Sequence, residues 1–234
     1  MIFKHEGTKY PFEQWLAIFG EENNYLAPFV SNVSDDFSFE IIDEKLCLGR
    51  KDFKPFRLEP EKLLNYHRNF FKGHSILKEP LAKAVGIKKV SEAPKVIDLT
   101  CGTMSDSMLF VSFGCEVMAF ERNPIFAALI TDALKHSSVE HFQFHFGQYS
   151  GGESGVLYFD PMYSHPNAKT APKKEMALLR EIISEDRDAQ SFISQFLGKQ
   201  RIVIKRPIKA EPLLAKPHHA ISGKSTRYDV YLPA

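Results

Sequence analysis

From Ser75 onward, short apolar runs alternate with helix-like stretches, and that rhythm leaves few folds open to the chain. KVIDL, EVMAF, FQFHF, GVLYF and RIVIK read as strands, and YDVYL closes the series. ILKEPLAKAVGI reads as a helix stopped by Gly86, and SDSMLFVSFG as one ended by Gly114. PIFAALITDALKHS reads as a helix with Asn123 as N-cap and Pro124 in its first turn. KKEMALLREIIS and AQSFISQFL read as helices between GVLYF and RIVIK. Such alternation builds an α/β fold, a mostly parallel sheet with helices on both faces. Sheets of this kind take ligands beyond the C-terminal ends of their strands, at the switch point of strand order.

The first 74 residues lack this rhythm and are expected to form a small α+β appendage to a domain spanning 75–234. FSFEIIDEKLCLG alternates and turns at Asp43-Glu44, as a hairpin does. PEKLLNYHRNFFKG has a helical period, with proline near its start and glycine at its end. With 234 residues, 44% of them hydrophobic, the chain can bury a large core. Its net charge of +1 names no partner, so any nucleic-acid surface must come from local clustering. The three cysteines, Cys47, Cys101 and Cys115, are not in CxxC spacing, which argues against a disulfide framework or a zinc site. No apolar run approaches a membrane span, and the start does not read as a signal peptide. The expectation is a cytoplasmic protein without a metal.

Four stretches carry chemistry. In VIDLTCGTMSD a strand ends at Asp98 and passes through Thr100 and Gly102 into a helix beginning near Ser105 and Asp106. Gly102 lets backbone approach a ligand closely. GxGxxG is absent, and Asp106 at a helix N-terminus would repel a diphosphate but not a sulfonium amino acid. The turn therefore favours adenosylmethionine over a nicotinamide dinucleotide. In FERNP, Glu121 ends the next strand, where nucleotide-binding sheets hold ribose hydroxyls. In LYFDPMYSH a strand runs into Asp160-Pro161-Met162-Tyr163, similar to the Asp/Asn-Pro-Pro-aromatic signature of amino-methyltransferases. An exocyclic base amine is a poor nucleophile because its lone pair is delocalised into the ring. Oxygens of Asp160 and Pro161 that accept its N–H would localise that pair, and Tyr163 would stack the base. Finally, the stretch from Lys199 to Asp229 is rich in Lys and Arg, among them Lys205, Arg206, Lys224 and Arg227, which suggests phosphate contacts.

In order along the chain, LAKAVGIKK, DLTCG, FGCEV, ERNPIFAALI, YFDPMYSH, KKEM, IVIKRP and RYDVY resemble the RsmJ family, bacterial methyltransferases of guanine N2 in 16S ribosomal RNA. The resemblance implies a Rossmann-like class I fold, S-adenosyl-L-methionine as methyl donor, and 16S rRNA or the 30S subunit as partner. It also implies cofactor contacts at Ser105, Asp106, Glu121, Arg122, Gln148, Tyr149 and Asp160, with His165 near the substrate. The family shows Ala-Gly-Leu-Gly-Arg-Asp where this chain has Cys101-Gly102-Thr103-Met104-Ser105-Asp106. That departure leaves open a non-catalytic RNA-binding protein on a methyltransferase scaffold. The Asp-Pro-x-Tyr element also leaves open a methyltransferase of adenine N6 in DNA.

Overall fold

A computed structural model describes residues 2–5, 8–19, 21–29, 37–50, 53–162 and 186–234. They fall into two compact units, one built from the described residues up to 59 and from 123–138, the other from 60–122, 139–162 and 186–234.

The first unit holds a four-stranded sheet. Strands β1 (Ile2–His5) and β2 (Thr8–Tyr10) are antiparallel, and helix α1 (Phe12–Phe19) follows. Strands β3 (Phe37–Ile42) and β4 (Lys45–Arg50) form the expected hairpin, and β1 lies parallel to β3. Both turn residues, Asp43 and Glu44, have positive φ, as a two-residue turn matched to strand twist requires. Phe3, Phe12, Trp15 and Phe39 pack as a ring cluster, with Phe3 and Trp15 centroids 4.6 Å apart. β1 and β2 escaped the sequence reading because strands of three or four residues are too short to show a period, and the eight-residue α1 spans only about two turns.

The second unit begins with helix α2 (Pro60–Phe71), so α2 clusters with the chain that follows it. ILKEPLAKAVGI is not one helix. A 3-10 turn, Ile76–Lys78, precedes α3 (Pro80–Val85), because Pro80 holds Glu79 in extended conformation. Strand β5 (Val96–Asp98), helix α4 (Ser105–Ser112) and strand β6 (Val117–Glu121) follow as expected. Helix α5 (Pro124–Lys135) returns to the first unit, where buried Asp132 accepts from Tyr25 Oη at 2.6 Å and Leu46 N at 2.8 Å. Strands β7 (Phe142–Phe146) and β8 (Val156–Phe159), helix α6 (Ala189–Ser194) and strands β9 (Ile202–Pro207), β10 (His219–Ser222) and β11 (Thr226–Tyr231) complete the order. The helix expected over KKEMALLREIIS lies outside the described residues.

The seven-stranded sheet has the order β10-β11-β9-β8-β5-β6-β7. Pairs from β9 to β7 are parallel, and β11 joins antiparallel to both β9 and β10. The chain winds outward from β5 to β7 and then restarts at β8 on the other side of β5, which makes the β5–β8 boundary the switch point. Gly155 permits that neighbourhood: a Cβ there would lie 2.9 Å from the Lys95 carbonyl oxygen. β8 is buried along its whole length, as a central parallel strand should be. On one side Leu157 and Phe159 pack with Ile97, Ile202 and Ile204 against Phe192 and Ile193 of α6. On the other, Tyr158 meets Phe110 of α4 edge-on, centroids 4.9 Å apart. No helix among the described residues is long and apolar enough to cross a membrane.

The Asn123 side chain accepts from the backbone N–H of Ile125 and Phe126 and so caps α5. Asn123→Ala is expected to cost about 1 kcal/mol. Urea unfolding checks this as a lower midpoint at unchanged slope.

Candidate active site

The strand tips converge on the turn between β5 and α4. Asp98 ends β5 fully enclosed, its Oδ1 accepting from Thr100 N at 3.0 Å and its Oδ2 from Ser107 Oγ at 2.5 Å. Burial pushes its carboxyl up to about 7, against the opposing pull of the Ser107 and Thr100 hydrogen bonds. The chain then turns through Gly102 at φ +51°, where a Cβ would meet nothing nearer than the Thr100 carbonyl oxygen at 3.8 Å. Gly102 N donates to Glu121 Oε2 at 2.8 Å, which ties the turn to the tip of β6. Thr100 Oγ1 accepts from Asp160 N at 2.8 Å, which ties the same turn to the tip of β8. Met104, left-handed at φ +64° and fully buried, closes the turn ahead of α4.

Asp106 and Asp160 face each other across a lysine. Lys205 Nζ lies 2.7 Å from Asp106 Oδ2 and 2.9 Å from Asp160 Oδ2. Tyr158 Oη donates to Asp106 Oδ2 at 2.5 Å. Burial raises the Asp160 carboxyl above the usual carboxylate range, with Lys205 pulling it back. Burial would lower Lys205, but the two carboxylates outweigh it and hold the ammonium charged. Tyr228 of β11 closes this side, its phenol raised to about 12 by burial and by Asp106.

A second clamp fixes the segment after Asp160. Arg122 reaches Asp188 at 2.7 Å and 2.9 Å and Asp186 at 2.5 Å. Asp186 Oδ2 in turn accepts from Met162 N at 2.8 Å. Arg122 therefore anchors the Asp160-Pro161-Met162 elbow, and Gln148 joins the same group through Asp188.

The structure thus gathers Asp98, Thr100, Gly102, Ser105, Asp106, Glu121, Arg122, Asp160 and Pro161 around one turn and the strand tips beside it. Others fall elsewhere. Tyr149 is buried between Phe120 and Phe196, and its hydroxyl binds backbone at Glu153. Its side chain therefore serves the core and a loop. Lys205 does lie in the site, but between Asp106 and Asp160 rather than toward a phosphate. Arg206 is buried with its guanidinium on the Glu211 carbonyl, at 3.0 Å and 2.6 Å. Arg227 forms a paired contact with buried Asp229, at 2.7 Å and 2.9 Å. Of the four named cations in the basic strip, Lys224 is the exposed one, in the turn between β10 and β11. Tyr163 and His165 lie outside the described residues. Sequence reasoning missed Tyr158, Ser107, Asp186 and Asp188. Tyr158 was accessible, because strand alternation puts it on the same face as Asp160.

Four carboxyl groups at one end of the sheet, two of them sharing one lysine, suit a ligand carrying positive charge and hydroxyl donors, as adenosylmethionine does, and oppose a diphosphate. The open Gly102 turn leaves room for close backbone approach. The three cysteines are buried, and burial raises the Cys101 thiol well above its ordinary value, so it is no nucleophile. Among the described residues no group of three or more His, Cys, Asp or Glu could hold a metal ion.

Residues 32–233 match the SAM_MT family of SAM-dependent methyltransferases. The ribosomal RNA small subunit methyltransferase J of Thioalkalivibrio sulfidiphilus is 39% identical over 177 residues, 68% of this chain and 69% of the relative. Its namesake from Pseudomonas fluorescens is 32% identical over a 247-residue alignment covering 97% of this chain and 91% of that protein. In its crystal structure, a SAM-dependent methyltransferase from Neisseria gonorrhoeae shares the fold, with TM-score 0.62 over 92% of each chain at 24% identity.

The raised carboxyl of Asp98 makes a pH test. In the folded state Asp98 holds its proton up to about pH 7, whereas in the unfolded chain it releases it near the ordinary value of 3.8. Its contribution therefore falls as pH rises between those values. Asp98→Asn removes that loss, so its melting temperature relative to the parent is expected to rise across the same window. A difference independent of pH would contradict the assignment.

Proposed function

Because the chain belongs to the ribosomal RNA small subunit methyltransferase J family, within the SAM-dependent methyltransferases, we propose that it transfers methyl from S-adenosyl-L-methionine to the exocyclic N2 of a guanine in 16S rRNA. The observation that carries this reading is the double tie of one turn. Within Thr100-Cys101-Gly102, the Gly102 N–H donates to the Glu121 carboxylate and the Thr100 hydroxyl accepts from the Asp160 backbone N–H. A residue suited to ribose hydroxyls and one suited to a base amine are thereby held by the same three residues.

The bound cofactor supplies a methyl group already activated on a sulfonium, so the protein's task is placement more than proton removal. Glu121 holds the ribose, while Asp98, Gly102 and Asp106 shape the methionine side. Asp160 and the Pro161 carbonyl accept the N–H groups of the guanine amine and turn its lone pair toward the methyl. As N2 gains the methyl it loses one proton, and the Asp160 carboxylate, raised by burial, is the acceptor at hand. Lys205 keeps that carboxylate ionised beforehand and holds its orientation. Arg122 acts on the reaction at one remove, by fixing Asp186 against the Met162 backbone. Tyr163, which lies outside the described residues, is assigned as the platform for the flipped guanine, and His165 as a further substrate contact. Under this reading the protein works in the cytoplasm on 16S rRNA or the 30S subunit.

The test is a tritiated-methyl assay on undermodified 30S subunits, with the modified base identified by mass spectrometry. The protein is expected to yield N2-methylguanine. Asp160→Ala is expected to lower kcat by about 100-fold or more. Methylation of DNA oligonucleotides with none of ribosomal subunits would select adenine chemistry instead. RNA binding without any cofactor binding would select the non-catalytic scaffold.

A further inference from the structure

In the C-terminal basic strip Lys205, Arg206 and Arg227 are turned onto carboxylates and a carbonyl of the protein itself, which leaves Lys199, Lys209, Lys216 and Lys224 exposed. A different surface has the required chemistry. On α2, Tyr66 and Phe70 stand one helical turn apart and are 67% and 46% exposed, although both are large aromatic side chains. His74 lies flat on Phe70, centroids 4.6 Å apart and planes within 3°, and its Nδ1 is 2.9 Å from the Phe70 carbonyl oxygen. Three rings thus line one exposed side of the helix and its C-terminal end, two of them already stacked.

Cations alternate with them along the chain, Arg68 and Lys72 standing on the far side of the helix from Tyr66 and Phe70. From Tyr66 to Lys88 the chain carries Arg68, Lys72, Lys78, Lys83 and Lys88, all exposed, with Glu79 as the only acid. In a protein of net charge +1 this is a strong local surplus. The surface is also joined to the site. Phe71 packs edge-on against Phe113, just beyond the end of α4, and His67 hydrogen-bonds the backbone at Ser105, where α4 leaves the cofactor turn.

We propose that the exposed face of α2, with the basic segment that follows it, is the RNA-docking surface of this protein. It stacks unpaired bases on Tyr66 and the Phe70–His74 pair and holds phosphates with Arg68, Lys72 and Lys78. Exposed rings interleaved with cations are what single-stranded RNA requires, because every base has a stacking face and every linkage a negative charge. The inference rests on the ribosomal RNA reading above and adds where that RNA is gripped.

Fluorescence anisotropy with a labelled single-stranded oligoadenylate of about 16 nucleotides tests it. The paired variant Tyr66→Ala/Phe70→Ala is expected to weaken binding by about tenfold or more and to raise KM for undermodified 30S subunits. Adenosylhomocysteine affinity and kcat are expected to stay unchanged. Arg68→Ala/Lys72→Ala is expected to flatten the slope of log Kd against log salt by about 1 to 2. This exposed pair decides the matter should the aromatic variant fail to fold. The proposal is overturned if both pairs bind RNA as the parent does. It is equally overturned if the aromatic pair changes only self-association, which would make the face a contact between copies of the chain. Failure of the parent protein to methylate 30S subunits would sink the proposed function while leaving this binding test readable.

Discussion

Asp98, Asp106, Glu121 and Asp160 crowd one end of the sheet, and the cost of burying so many carboxyl groups together sets the terms for everything around them. Each is given its own donors. Asp98 has the Ser107 hydroxyl and the Thr100 amide, Glu121 has the Gly102 amide, and Asp106 and Asp160 share Lys205. Buried charge is tolerated only where it is paired and hydrogen-bonded. The donors come from the turn after β5, from α4 and from β9, while Asp98, Glu121 and Asp160 stand at or just beyond the ends of β5, β6 and β8, so satisfying the carboxylates also fixes the relative positions of these elements. Electrostatic necessity and geometric precision are the same arrangement here.

That acidic rim has a consequence for substrate. It attracts a sulfonium and repels phosphate, so an RNA strand threading past it must be held by phosphate contacts farther out. The aromatic face of α2 and the basic segment that follows it meet that need while remaining coupled to the cofactor turn through Ser105 and Phe113. Attraction for the nucleic acid and attraction for the cofactor are thus kept on separate surfaces of one unit.

The sheet strands were legible because apolar runs such as Val96–Asp98 and Val156–Phe159 are bounded by turn residues and each ends at a polar tip. Asn123 and Pro124 announced α5 through local capping chemistry alone. What stayed hidden depended on distance in sequence. Nothing local shows that Arg122 will meet Asp186 and Asp188, or that Lys205 will lie between Asp106 and Asp160. In the basic C-terminal stretch composition counts charges without their partners: Arg227 alternates onto the same strand face as its neutraliser Asp229, while Lys199, Lys209, Lys216 and Lys224 stay exposed. The exposed face of α2 had the opposite problem. Its sequence shows a helical period but does not tell that Tyr66 and Phe70 stay in solvent.

The central claim is that Glu121, held by the Gly102 amide, grips the ribose of the cofactor. Isothermal titration of adenosylhomocysteine into the intact protein and into Glu121→Ala measures it directly. The account expects tight, enthalpy-driven binding to the parent and a loss of about tenfold or more in the variant, with folding retained. Equal affinity for both proteins, or no binding to the parent at millimolar ligand, would contradict it.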